Sequence, residues 1–170
     1  MAVRHTSGAQ SLMRDVGDTM SEVTVRSAIT SEQAFLQELQ RRASLQNPMD
    51  RDVLLANPHA IVLPVQQIID GQVFVAEQDG KVKGFSAILP REDGNAELDA
   101  LFVEPDCWRQ GIGRTLVDYC STSARNAGAR YLHVVGNPHA EHFYIACGFE
   151  TCGTASTQFG VGILMKRCLS

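Results

Sequence analysis

A single domain with a mixed α/β sheet is the fold class this sequence predicts, and three observations predict it. The hydrophobic period changes from 3.6 to 2 near residue 73. Two turn signals break the period-2 stretch into a three-strand meander. The C-terminal half then runs helix, strand, helix, strand pair. At 170 residues one domain is expected, with enough chain to bury a substantial core.

The elements follow in order. Val23–Ile29 carries β-branched residues at Val23, Val25 and Ile29 and reads as a strand. Thr30 and Ser31 offer N-caps before Glu32, and Phe35, Leu36, Leu39 and Ala43 follow at helical spacing until Asn47-Pro48 ends the helix. Asp50–Ala56 reads as a second short helix, and Pro64 opens a turn, Val65–Ile69, closed by Asp70-Gly71. Val73–Glu77 is a strand, Asp79-Gly80 a hairpin turn, and Lys81–Leu89 the returning strand. After the turn Pro90–Asn95, Ala96–Val103 is the third strand of the meander, stopped by Pro105. Regular alternation puts Glu97, Asp99, Leu101 and Val103 on one face and Ala96, Leu98, Ala100 and Phe102 on the other. Gly111–Asn126 is helical, with Ile112, Leu116, Tyr119, Cys120 and Ala127 in register and Gly128 as its stop. Tyr131–Val135 is an apolar strand and Pro138–Cys147 a helix ended by Gly148. Phe149–Thr151 and Val161–Arg167 form a closing strand pair.

Composition narrows the function classes. No apolar run approaches the roughly 18 residues of a membrane span; the longest, Ala60–Val65, contains Pro64. Met1–Met20 is polar and aperiodic, and the stretch between Arg4 and Arg14 lacks the apolar centre of a secretory signal. Residues 1–20 are expected to be a flexible tail, or an upstream extension if the natural start is Met20, with the domain occupying 21–170. The five cysteines, Cys107, Cys120, Cys147, Cys152 and Cys168, form an odd set without a CxxC pair. That pattern predicts reduced thiols in a cytoplasmic protein, with neither a disulfide frame nor a zinc site. The formal charge of −4 disfavours a nucleic-acid surface and suits a cationic amine partner.

The segment Leu98–Leu116 is the most informative. A strand runs through a short loop into Arg109-Gln110-Gly111-Ile112-Gly113-Arg114 at the start of a helix. A helix N-terminus exposes unpaired N–H groups and about half a positive charge, which suits a phosphate. Gly111 and Gly113 remove side chains that would keep a pyrophosphate off that backbone, and Arg109 and Arg114 add charge. A GxG at a helix start is by itself equally a tight turn. It is not a P-loop, because no Gly-Lys-Ser/Thr follows. It is also a poor dinucleotide fingerprint, because Leu116 stands where the third glycine belongs.

A second constellation follows the next strand: Asn137-x-x-Ala140-x-x-Phe143-Tyr144-x-x-x-Gly148-Phe149. Taken with Leu101-Phe102-Val103-Glu104-Pro105 and Trp108–Gly113, it resembles the GNAT superfamily of N-acetyltransferases over residues 23–167, and the hairpin Val73–Leu89 looks like the strand pair that precedes these motifs there. One departure is Trp108, at the position where the family carries Arg or Gln.

The resemblance implies a GNAT fold, one domain with splayed central strands, that uses acetyl-CoA and no metal. Pantetheine would pair with the free backbone of Leu101 and Val103, with Phe102 also counted among the cofactor-binding residues. The pyrophosphate would lie on Arg109, Gln110, Gly111, Ile112, Gly113 and Arg114, with Trp108, Thr115 and Tyr144 also binding the cofactor, and Asn137 would touch the arm. Acetyl would pass by direct attack to a primary amine of a small molecule or peptide. Glu97 is the expected base, with Asp99 next, and Tyr144 the expected acid. His133, His139 and His142 are expected to be surface or packing residues. The acceptor would be read by the Thr30–Ile69 helices and the Gly153–Gly160 loop, and a homodimer fits the resemblance. A catalytically silent acyl-CoA-sensing module is the alternative; Glu97, Asp99 and Tyr144 weigh against it.

Overall fold

The computed structural model describes residues 21–170; the expectations for residues 1–20 lie outside them. Seven strands form one sheet: β1 Thr24–Ser27, β2 Val73–Gln78, β3 Lys81–Pro90, β4 Ala96–Val103, β5 Tyr131–Gly136, β6 Glu150–Thr157 and β7 Gly160–Cys168. Their order is β1-β2-β3-β4-β5-β7-β6, antiparallel except for the β4–β5 pair. Asp79 and Gly80 both take left-handed φ, 55° and 73°, as a two-residue hairpin turn matched to strand twist requires.

Helices cover both faces. On one side lie α1 Gln33–Leu45, α2 Pro48–Ala56 and α3 Val65–Ile69. There Leu36, Leu39 and Ile68 pack on Val73, Val75, Phe85 and Ala87. The opposite side carries α4 Ile112–Asn126 and α5 Glu141–Ala146. Its core joins Val117, Cys120 and Ala124 to Leu98, Leu132, Val134 and Met165.

Two features differ from the sequence reading. First, β6 and β7 are longer than Phe149–Thr151 and Val161–Arg167. The segment read as the Gly153–Gly160 loop is strand as far as Thr157, then a tight hairpin through Gln158 and Phe159. The polar run Thr154–Thr157 disguised it, because β6 is an edge strand whose residues are largely exposed.

Second, β4 does not alternate regularly. Ala87 faces Ala100 and Ile88 faces Leu98, so Asp99 is an extra residue, a β-bulge. A bulge inverts the side-chain parity of everything beyond it. Leu98 and Leu101 therefore both pack toward α4, while Ala100 and Phe102 turn to the α1 side. The expected single face of Glu97, Asp99, Leu101 and Val103 does not exist: Glu97, opposite Leu89, is on the Ala100 side of the sheet.

The bulge also sets the shape of the sheet. β4 pairs with β5 only at Ala96–Leu132, Glu97–His133 and Leu98–Val134. From Asp99 onward the two strands part, which gives the splayed centre that the resemblance implied.

Close packing of β3 on this region supplies a test. A Cβ on Gly84 would stand 2.9 Å from the Phe102 carbonyl oxygen and 3.3 Å from Leu116. Gly84→Ala should destabilise the domain by about 1–3 kcal/mol, lowering Tm by about 5 °C or more. Gly80→Ala, with open space around it, should add only left-handed strain of about 1 kcal/mol. Equal melting temperatures for the two variants would show that β3 does not press on β4 as described.

Candidate active site

The Trp108–Thr115 turn is built by two left-handed residues, Arg109 at φ 63° and Gly111 at φ 85°. Gly111 is the N-cap of α4. Thr115 donates both its backbone N–H, at 3.0 Å, and its hydroxyl, at 2.9 Å, to the Gly111 carbonyl. Among the described residues, no N–H from Arg109 to Arg114 has an acceptor in the protein. Six successive unpaired donors at a helix start make a concave anion site. Arg109, Gln110 and Arg114 are exposed, and no ion pair among the described residues uses either arginine.

The two glycines do different work. A Cβ on Gly111 would meet nothing within 4 Å, so its glycine is needed for the positive φ. A Cβ on Gly113 would lie 3.1 Å from Cζ of Phe143 and 3.7 Å from Val103. Gly113 therefore lets α5 close on α4, which brings the Asn137–Phe149 segment up to the turn.

Trp108 has a definite task too. Its indole N–H donates to the Val103 carbonyl at 2.8 Å, tying the loop to the end of β4. The N–H of Glu104 bonds to Lys83 on the β3 side at 2.8 Å. Because backbone groups alternate along a strand, Val103 and Leu101 present theirs to the opposite, split edge. The indole occupies the Val103 carbonyl; the other groups of that edge are open to an added extended chain.

A cavity of about 580 Å³ fills the split between β4 and β5. Glu97, Asp99, Leu101 and Phe102 line it from β4, Gly136 and Asn137 from the end of β5, and Tyr144 from α5. The turn residues 108–115 are not part of its lining and lie farther along, where α4 begins. The fold thus gathers all three expected catalytic side chains at one cavity.

Their environments differ. Tyr144 is buried, with its ring edge-on to Phe143 at 5.2 Å and Phe149 at 5.4 Å. Gly136 admits that ring, since a Cβ there would be 3.1 Å from it. Burial pushes the phenol pKa above its ordinary value, so Tyr144 stays protonated. Glu97 is held by Arg91 at 3.4 Å. Among the described residues Asp99 has no such cation. Desolvation raises its carboxyl pKa, with Gln67 acting in the other direction, although part of its side chain remains exposed to solvent. Beside Glu97, His133 is pushed toward its neutral form by desolvation first and then by Arg91.

Asn137 accepts from the His139 N–H at 3.0 Å, and its amide nitrogen reaches Asp50 at 3.4 Å. Asp50 also lines the cavity, and the sequence reading placed it only at the start of a helix. The local signal was Asn47-Pro48-x-Asp50: Asn47 caps α2 by accepting from Met49 at 3.1 Å and holds the Asp50 carboxylate at 2.8 Å. Thr157, Gln158 and Phe159 of the β6–β7 hairpin complete the outer wall.

Comparison with known proteins agrees with this architecture. Residues 70–151 match the acetyltransferase (GNAT) domain. It is similar to the phosphinothricin N-acetyltransferase of Alcaligenes faecalis, 32% identical over 112 residues that cover 56% of each chain. Among solved structures, a nourseothricin acetyltransferase aligns with a TM-score of 0.54 at 24% identity over 58% of this chain and 65% of that one. The PaiA N-acetyltransferase of Thermoplasma acidophilum, solved in complex with coenzyme A, aligns with a TM-score of 0.70 at 17% identity over 86% and 99% of the two chains. These structural likenesses establish the fold. The chain spans little more than half the length of the curated relative it matches.

The Asp99 environment predicts a stability signature. A carboxyl whose pKa is raised by folding disfavours the folded state once ionised, so the penalty grows as pH rises above the unfolded value of about 3.9. At pH 7 Asp99→Asn should melt slightly higher than the wild type, by about 1 °C given solvent screening. That difference should vanish at pH 3, where Asp99 is protonated in both states. A lower melting temperature at pH 7 would contradict the assigned desolvation.

Proposed function

We propose that the protein is an acetyl-CoA-dependent N-acetyltransferase that passes acetyl to a primary amine of a small molecule or peptide. The observation that carries this reading is the meeting of three features: a turn of six unpaired N–H groups, a split strand edge, and a cavity at that split holding Asp99 and Tyr144. The cosubstrate supplies an activated acyl thioester. Residues 109–114 would hold its diphosphate, with charge from Arg109 and Arg114, and the backbone of Leu101 and Val103 would pair with its pantetheine arm beside Asn137. No metal has a part in this chemistry, and the setting we assign is cytoplasmic, with a homodimer as the assembly to test.

An alkylamine of pKa near 10.4 is mostly protonated at pH 7, a deficit of roughly 3.4 units or about 4–5 kcal/mol. A base must therefore take a proton from the incoming ammonium, directly or through water. The resemblance ranks Glu97 ahead of Asp99. We reverse that order, because Arg91 holds the Glu97 carboxylate while Asp99 has no cation among the described residues and is already disfavoured as an anion. Free N–H groups of the split β4 edge polarise the thioester carbonyl. Tyr144 faces the departing thiolate. A phenol raised above its usual pKa of about 10 does not surrender its proton fully to a thiolate of about 8.5. Its contribution is a hydrogen bond, and a modest one. An acyl-CoA-sensing module would need none of these groups beside the cavity.

Trp108 is the single tryptophan and is exposed next to the turn, so its emission reports binding without turnover. Acetyl-CoA should change Trp108 fluorescence, and Gly111→Val should weaken that binding by about tenfold or more while leaving a cooperative melt. An undiminished titration with Gly111→Val would remove the turn from the binding site.

In a thiol-release assay Asp99→Asn should lower kcat by about 10²–10⁴. Tyr144→Phe should lose about tenfold or less, in keeping with one hydrogen bond. A larger loss in Glu97→Gln than in Asp99→Asn would return the role of base to Glu97.

A further inference from the structure

The Trp108 indole stands on the path assigned to the cosubstrate arm. Its N–H donates to the Val103 carbonyl at 2.8 Å. The next residue, Glu104, bonds through its N–H to Lys83 of β3, so the Val103 carbonyl points the other way. It belongs to the edge of β4 that has no partner strand beyond Leu98. An extended chain added to this edge would bring its own N–H to the same oxygen at about 2.9 Å. Two donors then contend for one position.

The indole is lightly held there. Trp108 is 47% exposed and belongs to none of the buried clusters. Among the described residues no other ring stacks on it and no cation lies over it. The loop does not depend on the indole bond alone. The N–H groups of Cys107 and Trp108 bond to the Glu104 and Pro105 carbonyls at 2.9 and 3.4 Å, and Cys107 is buried in a cluster with Ile112 and Leu116. Swinging the ring away costs one exposed hydrogen bond and leaves the turn in place. The cap also has a use, since an open strand edge invites pairing with any extended chain.

We propose that Trp108 is a gate on the arm-binding edge: its indole caps the Val103 carbonyl and gives up that bond to an amide of the entering pantetheine arm. The proposal rests on the acetyl-CoA reading of the site and adds a step to it. A diphosphate without the arm would bind the turn and leave the cap closed.

The test compares CoA with ADP, which carries a diphosphate and no arm. Trp108 is the single tryptophan, so its indole N–H gives one isolated side-chain resonance. CoA should shift that resonance and speed its exchange with solvent by about tenfold or more, while saturating ADP should leave both nearly unchanged. In calorimetric titrations Trp108→Phe, which keeps a ring and removes the donor, should raise the ratio of CoA to ADP affinity by about three- to tenfold. A ring that only braces the loop would lower both affinities together and leave the ratio unaltered. An indole that stays bonded with CoA present, or a ratio that Trp108→Phe leaves unaltered or lowers, overturns the gate. The resonance is read on the wild-type chain and needs no variant. Backbone amides of residues 109–114 that respond to CoA beside an unmoved indole sink the gate alone. Amides there that respond to neither ligand sink the acetyl-CoA reading and the gate with it.

Discussion

Asp99 has no partner on β3, and from that one extra residue the geometry of the site follows. Up to Leu98 the sheet is continuous through β4 and β5; beyond it, β4 twists away and leaves a strand edge without a neighbour. An exposed edge within a sheet is ordinarily a liability. Here helices flank it and a cavity occupies the gap, so only a chain entering that gap can use its free backbone groups. The same bulge lifts Asp99 out of regular alternation and sets it at the mouth of the split. The proposed cofactor pairing and base placement thus depend on one feature.

The surroundings hold that geometry in place. Gly113 lets Phe143 pack against the first turn of α4, Gly136 lets the Tyr144 ring close on the end of β5, and the Trp108 indole ties the loop to Val103. Each is a short contact that a larger side chain or a lost donor would disturb. The cores on either side, around Leu39 and Phe85 on one face and Val117 and Leu132 on the other, carry no comparable compromise. Asp50 and Asp99, both desolvated carboxylates, are among the residues that line the cavity, a cost to stability that the proposed chemistry would account for.

Much of this was legible in the residues. The hairpin at Asp79-Gly80, the long amphipathic α4 closed before Gly128, and the order of strands all follow from period and turn chemistry, which act locally. The turn at residues 109–114 was legible for the same reason. The bulge was not, because Ala96–Val103 reads as an unbroken strand and the parity shift arises from pairing with β3. Nor was the extent of β6, whose exposed polar residues resemble a loop. Asp50 escaped because its meaning depends on Asn137, 87 residues away. Trp108 was recognised as a departure, but its bond to Val103 needed coordinates.

The central claim is that a cosubstrate with a diphosphate and an extended arm occupies the turn and the split together. Backbone amide chemical-shift mapping with CoA tests it residue by residue. The account predicts the largest perturbations at Arg109–Arg114 and at Leu101 and Val103, with little change in β1 or α3. Perturbations confined to other surfaces, or a response at the turn without one along β4, would contradict it.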